Sequence, residues 1–291
     1  MKRYIGMVAI ALLAIGCEKE NNNQVEEGAM RIEVLHPSAT RATDTAFESG
    51  DVIGLYATEY TGEAAAPLQI SGNWINNEAI TYNGEEWNAD KILYWSENKL
   101  DVYGYYPYME LQSVDEQPFA VALDQSGEGE DGALGGYESS DFLWAKKAEA
   151  MKDDGTVALD FKHRCSKLVV KLVKGPDYDG DFPKLSELYI HNVVPTATID
   201  LATGTVVKDF FGEPTTIKAR KVDDGTFEAI IVPQRITSHR PFIELIAYNV
   251  SYLVEDTFHF KNGKCHTISL VIGSNPNQIK VEIGGEVEDW N

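Results

Sequence analysis

Apolar residues recur at every second position along most of this chain, in runs too short for helices. Met30, Ile32 and Val34 are interleaved with Arg31, Glu33 and Leu35. The same period of two returns in residues 51–56, 79–82 and 100–106, the last run ended by Pro107. It continues in Val157-Leu159-Phe161, Leu168-Val170-Leu172, Leu188-Ile190, Ala197-Ile199, Phe227-Ala229-Ile231, residues 242–248, Ile268-Leu270-Ile272 and Ile279-Val281-Ile283. Side chains alternate faces along a strand, so each run predicts a strand with one face on a core. Turn residues separate the runs at Asn83-Gly84, Asp153-Asp154-Gly155, Gly175-Pro176, Asp223-Asp224-Gly225 and Asn262-Gly263. No stretch keeps a 3.6-residue period beyond a turn or two. The pattern predicts an all-β chain. Residues 124–140, rich in Gly, Glu, Asp and Ser, read as a loop late in the first of two β-sandwiches, residues 42–150 and 151–291.

The N-terminus departs from this pattern. Lys2 and Arg3 precede a mostly apolar stretch, residues 4–15, too short to cross a bilayer as a stable helix. It ends in Leu13-Ala14-Ile15-Gly16-Cys17 and turns polar at Glu18-Lys19-Glu20. Residues 1–17 thus resemble a bacterial lipoprotein signal in which Cys17 becomes the lipidated first residue, although Ala14 stands where such signals usually carry Leu. Glu18-Lys19-Glu20 resembles the surface-export signal of Bacteroidetes lipoproteins. The other reading is an ordinary secretory signal with a chance cysteine. Residues 18–41 then form a tether and the first strand.

Composition narrows the partners. Lys and Arg number 25 against 46 Asp and Glu, a net charge of −21 in 291 residues. Such a surface repels nucleic acid and anionic headgroups, so no nucleic-acid partner is expected. A hydrophobic content of 43% is ample for a folded core. Apart from Cys17, Cys165 and Cys265 could form one disulfide in an oxidising compartment.

Motifs for chemistry are missing. There is no His-Glu-x-x-His, no Cys-x-x-Cys, no Gly-x-Ser-x-Gly and no phosphate-binding Gly-rich loop followed by Lys-Ser/Thr. His163-Arg164-Cys165 and Cys265-His266 could converge on a metal, but packing histidines beside a disulfide explain them better. No catalytic residue, metal or cofactor is expected. Trp95 and Trp144 sit in apolar strand contexts and read as core. Trp74 and Trp87 flank polar turns and are the candidates for an exposed sugar-stacking face.

Several segments, taken in order, resemble the fimbrillin family of Bacteroidetes in its Mfa-like branch. Gly50-Asp51-Val52-Ile53-Gly54-Leu55-Tyr56 is similar to its "GD-x-I-G-hydrophobic-Y" strand. Tyr94-Trp95 with Val102-Tyr103-Gly104-Tyr105-Tyr106-Pro107 is similar to its "YWP…v-F-x-A-Y-Y-P" segment, with Ser96 in place of Pro and Gly104 in place of Ala. Asp141-Phe142-Leu143-Trp144-Ala145, the run from Leu159 through Phe161 and His163 to Lys167-Leu168, and Ile231-Val232-Pro233-Gln234 match further motifs.

The resemblance implies two transthyretin-like β-sandwiches in tandem and a role as a subunit, accessory or tip component of a type V fimbria. It implies a lipoprotein precursor, anchored at the outer membrane of the cell surface until an arginine-specific surface protease cuts it. Arg41-Ala42 occupies the matching connector. The removed strand would be the one carrying Met30, Ile32 and Val34. Another subunit's strand would fill the groove it leaves. Ile279, Val281 and Ile283 with Val287, in the segment 279–287, form the best donor, because they present the same alternating apolar face. The alternative is a surface lipoprotein that stays anchored and binds a glycan or another adhesion ligand.

Overall fold

The computed structural model describes residues 28–37, 46–130, 133–178, 180–184, 186–247, 249–273, 279–282 and 287–290, with the backbone alone for 238, 239 and 279–282. Cys17, Arg41, Ala42 and Ile283 lie outside the described residues. Among the described residues the fold is nearly all β, with strands from Arg31–Leu35 to Val287–Asp289, a short α-helix, Gly136–Ser139, and a 3-10 turn, Lys152–Asp154.

The first half is built on a sheet ordered Lys162–His163, Leu143–Ala150, Leu100–Tyr106, Val52–Thr61, Ile75–Tyr82 and Trp87–Ala89. Its central strands are buried on both faces, and the period of two sorts their side chains between two cores. Ile53, Leu55, Leu100, Val102, Tyr106, Leu143 and Ala145 enter a smaller core. Tyr56, Tyr103 and Tyr105 point the other way, into a larger one. The smaller core is closed by a two-stranded parallel ladder of Arg31–Leu35 and Thr156–Asp160, which sets Ile32 opposite Val157 and Val34 opposite Leu159.

The larger core lies between two further sheets. One is ordered Arg220–Asp223, Thr226–Ile231, Ser166–Lys174, Lys264–Ile272 and Ile279–Glu282. The other is ordered Thr215–Lys218, Ser186–Val193, Gln234–Ala247 and Val250–Phe260. Leu168, Val170, Phe227, Ile268 and Leu270 from the first meet Leu188, Ile190, Phe242, Ile243, Leu245 and Phe260 from the second. Face-to-face burial of this kind is the β-sandwich solution to two half-apolar sheets.

Two expectations change. The chain does not leave the first half at residue 151, because Val157, Leu159 and Phe161 are wholly buried in the smaller core. The parallel ladder with the first strand puts them there. Nor are residues 124–140 only a loop. Tyr137, like Val114 and Val121 before the stretch and Phe142 after it, belongs to the larger core. Gln117–Ala120 is a strand that pairs with Thr196–Asp200. Gln125 is fully buried, and its amide closes both backbone groups of Ile230, donating to the carbonyl and accepting from the N–H at 2.8 Å each.

Candidate functional site

Among the described residues, the ladder of Arg31–Leu35 runs along one edge only. Five residues match Thr156–Asp160 in register, and Phe161 N–H donates to Leu35 O at 3.1 Å. Met30 is 7% exposed, and Ile32 and Val34 are half-buried against the smaller core. Arg31, Glu33 and Leu35 face outward. The alternation read from the sequence therefore describes how this strand sits.

Its other edge faces a cleft of about 930 Å³ between the first strand and the short edge strand Trp87–Ala89. The floor is aromatic. Phe47 packs edge-on against Trp87, Tyr106 and Phe161 at 4.9, 5.5 and 6.0 Å. Tyr82 stacks on Trp87 at 5.1 Å. The Tyr106 hydroxyl donates to Asp51 Oδ1 at 3.0 Å, while Asp51 Oδ2 accepts the Glu48 N–H at 2.7 Å. Burial first, then the Asp51 carboxylate, raise the Tyr106 phenol far above its ordinary pKa. Gly50, at φ 107°, supplies the backbone turn that brings Asp51 there. The Gly50-Asp51 motif thus holds the wall of the cleft.

The C-terminal segment pairs within its own chain. Ile279–Glu282 and Val287–Asp289 both lie antiparallel on the edge of Lys264–Ile272, with Ile279 opposite Ile272, Val281 opposite Leu270 and Val287 opposite His266. Val287 is 50% exposed. The segment ends in a buried anchor. Trp290 stacks on His163 at 3.7 Å with the rings 5° apart. His163 Nδ1 is 2.8 Å from Asp141 Oδ1, and the His36 ring, just past the first strand, meets the His163 ring edge-on at 6.3 Å. Both ends of the described chain therefore touch His163, a convergence that spacing in the sequence did not reveal.

Cys165 and Cys265 are not joined to each other. The parallel ladder sets Cys265 opposite Lys167, and Cys165 instead accepts the Gly263 N–H through its carbonyl at 2.9 Å. Burial, then Asp141, push the wholly buried Cys165 thiol far above its ordinary range. Among the described residues no group of three or more His, Cys, Asp or Glu could hold a metal, and no helix is long and apolar enough to cross a membrane.

Of the two tryptophans expected on the surface, Trp74 is 43% exposed, whereas Trp87 is half-buried with Tyr82 on one face. The most exposed aromatics are instead Phe210 and Phe211, at 84% and 87%. They fall in a turn between strands, where no alternation marks them.

A sequence model of the fimbrillin-like family matches residues 40–290. A protein of Bacteroides uniformis described as a fimbrium subunit, Fim1C, is 26% identical over 309 aligned positions, covering 98% of this chain and 93% of that protein. A Bacteroides ovatus protein described as a fimbrium tip subunit, also Fim1C, is 29% identical over 204 residues, 59% of this chain. The chain spans only 36% of that relative's length. Among solved structures, a protein from Bacteroides uniformis described as a cell adhesion protein superposes with a TM-score of 0.68 at 23% identity, covering 91% of this chain and all of the other. One from Bacteroides ovatus with the same description gives 0.69 at 16% identity, covering 90% and 98%. At these identities the structures share the fold.

Proposed function

The chain belongs to the fimbrillin-like family, and from that premise we propose that it is a fimbrial subunit or tip component built for strand exchange. It is exported as a lipoprotein precursor through Cys17 and held at the outer membrane. An arginine-specific surface protease cuts it after Arg41, leaving Ala42 as the new N-terminus. The strand carrying Met30, Ile32 and Val34 then leaves, and another subunit's strand takes its place. The chain catalyses nothing in this scheme. Its partners are other fimbrial subunits, and its acidic surface has no use for nucleic acid.

The observation that carries this reading is the single-edged hold on the first strand. Among the described residues Arg31–Leu35 has one ladder, two inward apolar side chains continued by Met30, and an open cleft along its other edge. The connector at residues 38–45 is made of small and polar residues around Arg41. Once it is cut, these contacts and the short bridge from residues 28–30 to residues 93–95 retain the strand. Emptying the site uncovers the apolar faces of Val157 and Leu159 and the backbone of Thr156–Asp160, an edge that invites another strand. The segment 279–287 matches it in apolar spacing. In this chain Ile279–Glu282 and Val287–Asp289 pair with Lys264–Ile272, and Trp290 stacks on His163.

The test uses a soluble chain beginning after Cys17, treated with an arginine-specific protease and followed by intact mass and size-exclusion chromatography. One cut after Arg41, loss of the first strand and a denaturant-resistant ladder of oligomers are expected. A cut chain that stays monomeric with its first strand bound would contradict the proposal and favour an anchored lipoprotein.

A further inference from the structure

An exposed apolar ledge stands where the chain enters the first strand. Residues 28–30 run antiparallel to residues 93–95. Met30 N–H donates to Leu93 O at 2.7 Å, Trp95 N–H donates to Gly28 O at 3.0 Å, and Ala29 bridges Tyr94 between them. Leu93 and Trp95 are each 8% exposed, but the alternating residues Ile92 and Tyr94 are 48% and 46% exposed. Trp74 is fixed beside them, because its indole N–H donates to Tyr94 O at 2.8 Å. Ile70, 44% exposed, lies in the adjoining loop, which Asn73 closes by accepting the Gln69 N–H at 3.0 Å.

We propose that this ledge seats the folded body of a second copy of the chain, the copy whose strand replaces the first strand on Thr156–Asp160. The inference rests on the strand-exchange reading above, and strand direction decides it. Arg31–Leu35 runs parallel to Thr156–Asp160. A replacement that keeps this ladder must enter at the same end, past residues 93–95. A donor segment at 279–287 is C-terminal, so the body of its subunit precedes it and is left at the entrance. Only residues 273–278 separate it from the strand Lys264–Ile272, a reach of roughly 25 Å fully extended. Loss of the first strand also uncovers Leu93 O and Trp95 N–H, so the ledge and the vacated ladder form one continuous surface.

The chemistry fits protein better than sugar. Ile70 and Ile92 offer neither a flat face nor a hydrogen bond, and the Trp74 indole N–H is already used. The nearby amides are spent on one another, with Asn73 Nδ2 donating to Asn76 Oδ1 at 2.9 Å and Asn76 Nδ2 to Asn73 O at 3.0 Å. Four half-exposed side chains fall short of the ~800 Å² per partner of a lasting complex. The ledge therefore acts together with the inserted strand.

The test compares the wild-type chain with the double variant Ile70→Lys, Trp74→Ala, both cut after Arg41. Both residues are half-exposed and lie outside the lining of the cleft. Two dissociation rates are measured, one for assemblies of full-length chains and one for a synthetic peptide of residues 279–290 bound to the cut chain. The variant assemblies are expected to separate about tenfold faster than wild type, with peptide rates equal. Equal lifetimes for both assemblies overturn the ledge contact. A peptide that binds neither chain overturns the strand-exchange reading, and this inference with it. Glycan-array binding by the uncut chain that the variant abolishes, with assembly lifetimes unchanged, makes the ledge a sugar site and overturns it too.

Discussion

A methyl group added at Gly54 would lie 2.2 Å from the Tyr105 ring. That ring is wholly buried, and its hydroxyl is tied to Asn77 and the Met109 carbonyl, so it cannot step aside. Gly54→Ala is expected to lower stability by about 2–3 kcal/mol, visible as a lower urea midpoint at unchanged slope. An unchanged midpoint would mean the two strands are not that close. Gly104, where the family pattern has Ala, is explained the same way, since a Cβ there would meet Phe161 at 2.8 Å and Leu159 at 2.9 Å. A second residue sets a pH dependence. Burial, then Lys261 and His259, lower the His266 pKa from 6.5 to about 4. The neutral ring accepts the Lys261 N–H at 3.1 Å. As pH falls, the unfolded chain takes up this proton first. Stability present above about 6.5 is therefore lost progressively toward pH 4, on the order of 3 kcal/mol. His266→Gln keeps an acceptor and removes the titration, so its unfolding free energy should fall less over that window. Parallel curves for the two proteins would refute this.

Elements with strict alternation were legible before the structure. The runs at Met30-Ile32-Val34, Leu168-Val170-Leu172 and Ile268-Leu270-Ile272 are strands, and their apolar sides mark the core face. What alternation could not show is which core a strand serves. Val157, Leu159 and Phe161 read as the opening of the second half, yet a parallel ladder across more than a hundred residues of sequence binds them to the first strand. Gln117–Ala120, Gln-Pro-Phe-Ala, has too few apolar residues and a proline, and its partner lies roughly eighty residues further along the chain. Gln125 substitutes for a strand with one side chain. The cleft itself was legible only as the expected consequence of a family resemblance, because its walls come from residues 30–36, 46–47 and 80–93 together.

Across the whole molecule, the two cores share the sheet containing Val52–Thr61 and Leu100–Tyr106, so the halves are not independent beads. The resemblance motifs cluster where this sharing occurs. Asp141 and His163 form a buried pair under Trp290, and Gln234 binds both backbone groups of Val194 at 2.9 Å. Asp141 and His163 thus hold the point where the end of the first strand and the C-terminal Trp290 meet. The central claim is that the first strand is a replaceable occupant. The most direct test is hydrogen exchange at the amides of Thr156–Asp160, whose only ladder among the described residues is to that strand. The account predicts protection in the uncut chain, loss of protection once the first strand is removed, and its return in assembled oligomers. Oligomers that form while these amides stay unprotected, or while the first strand stays bound, would contradict it.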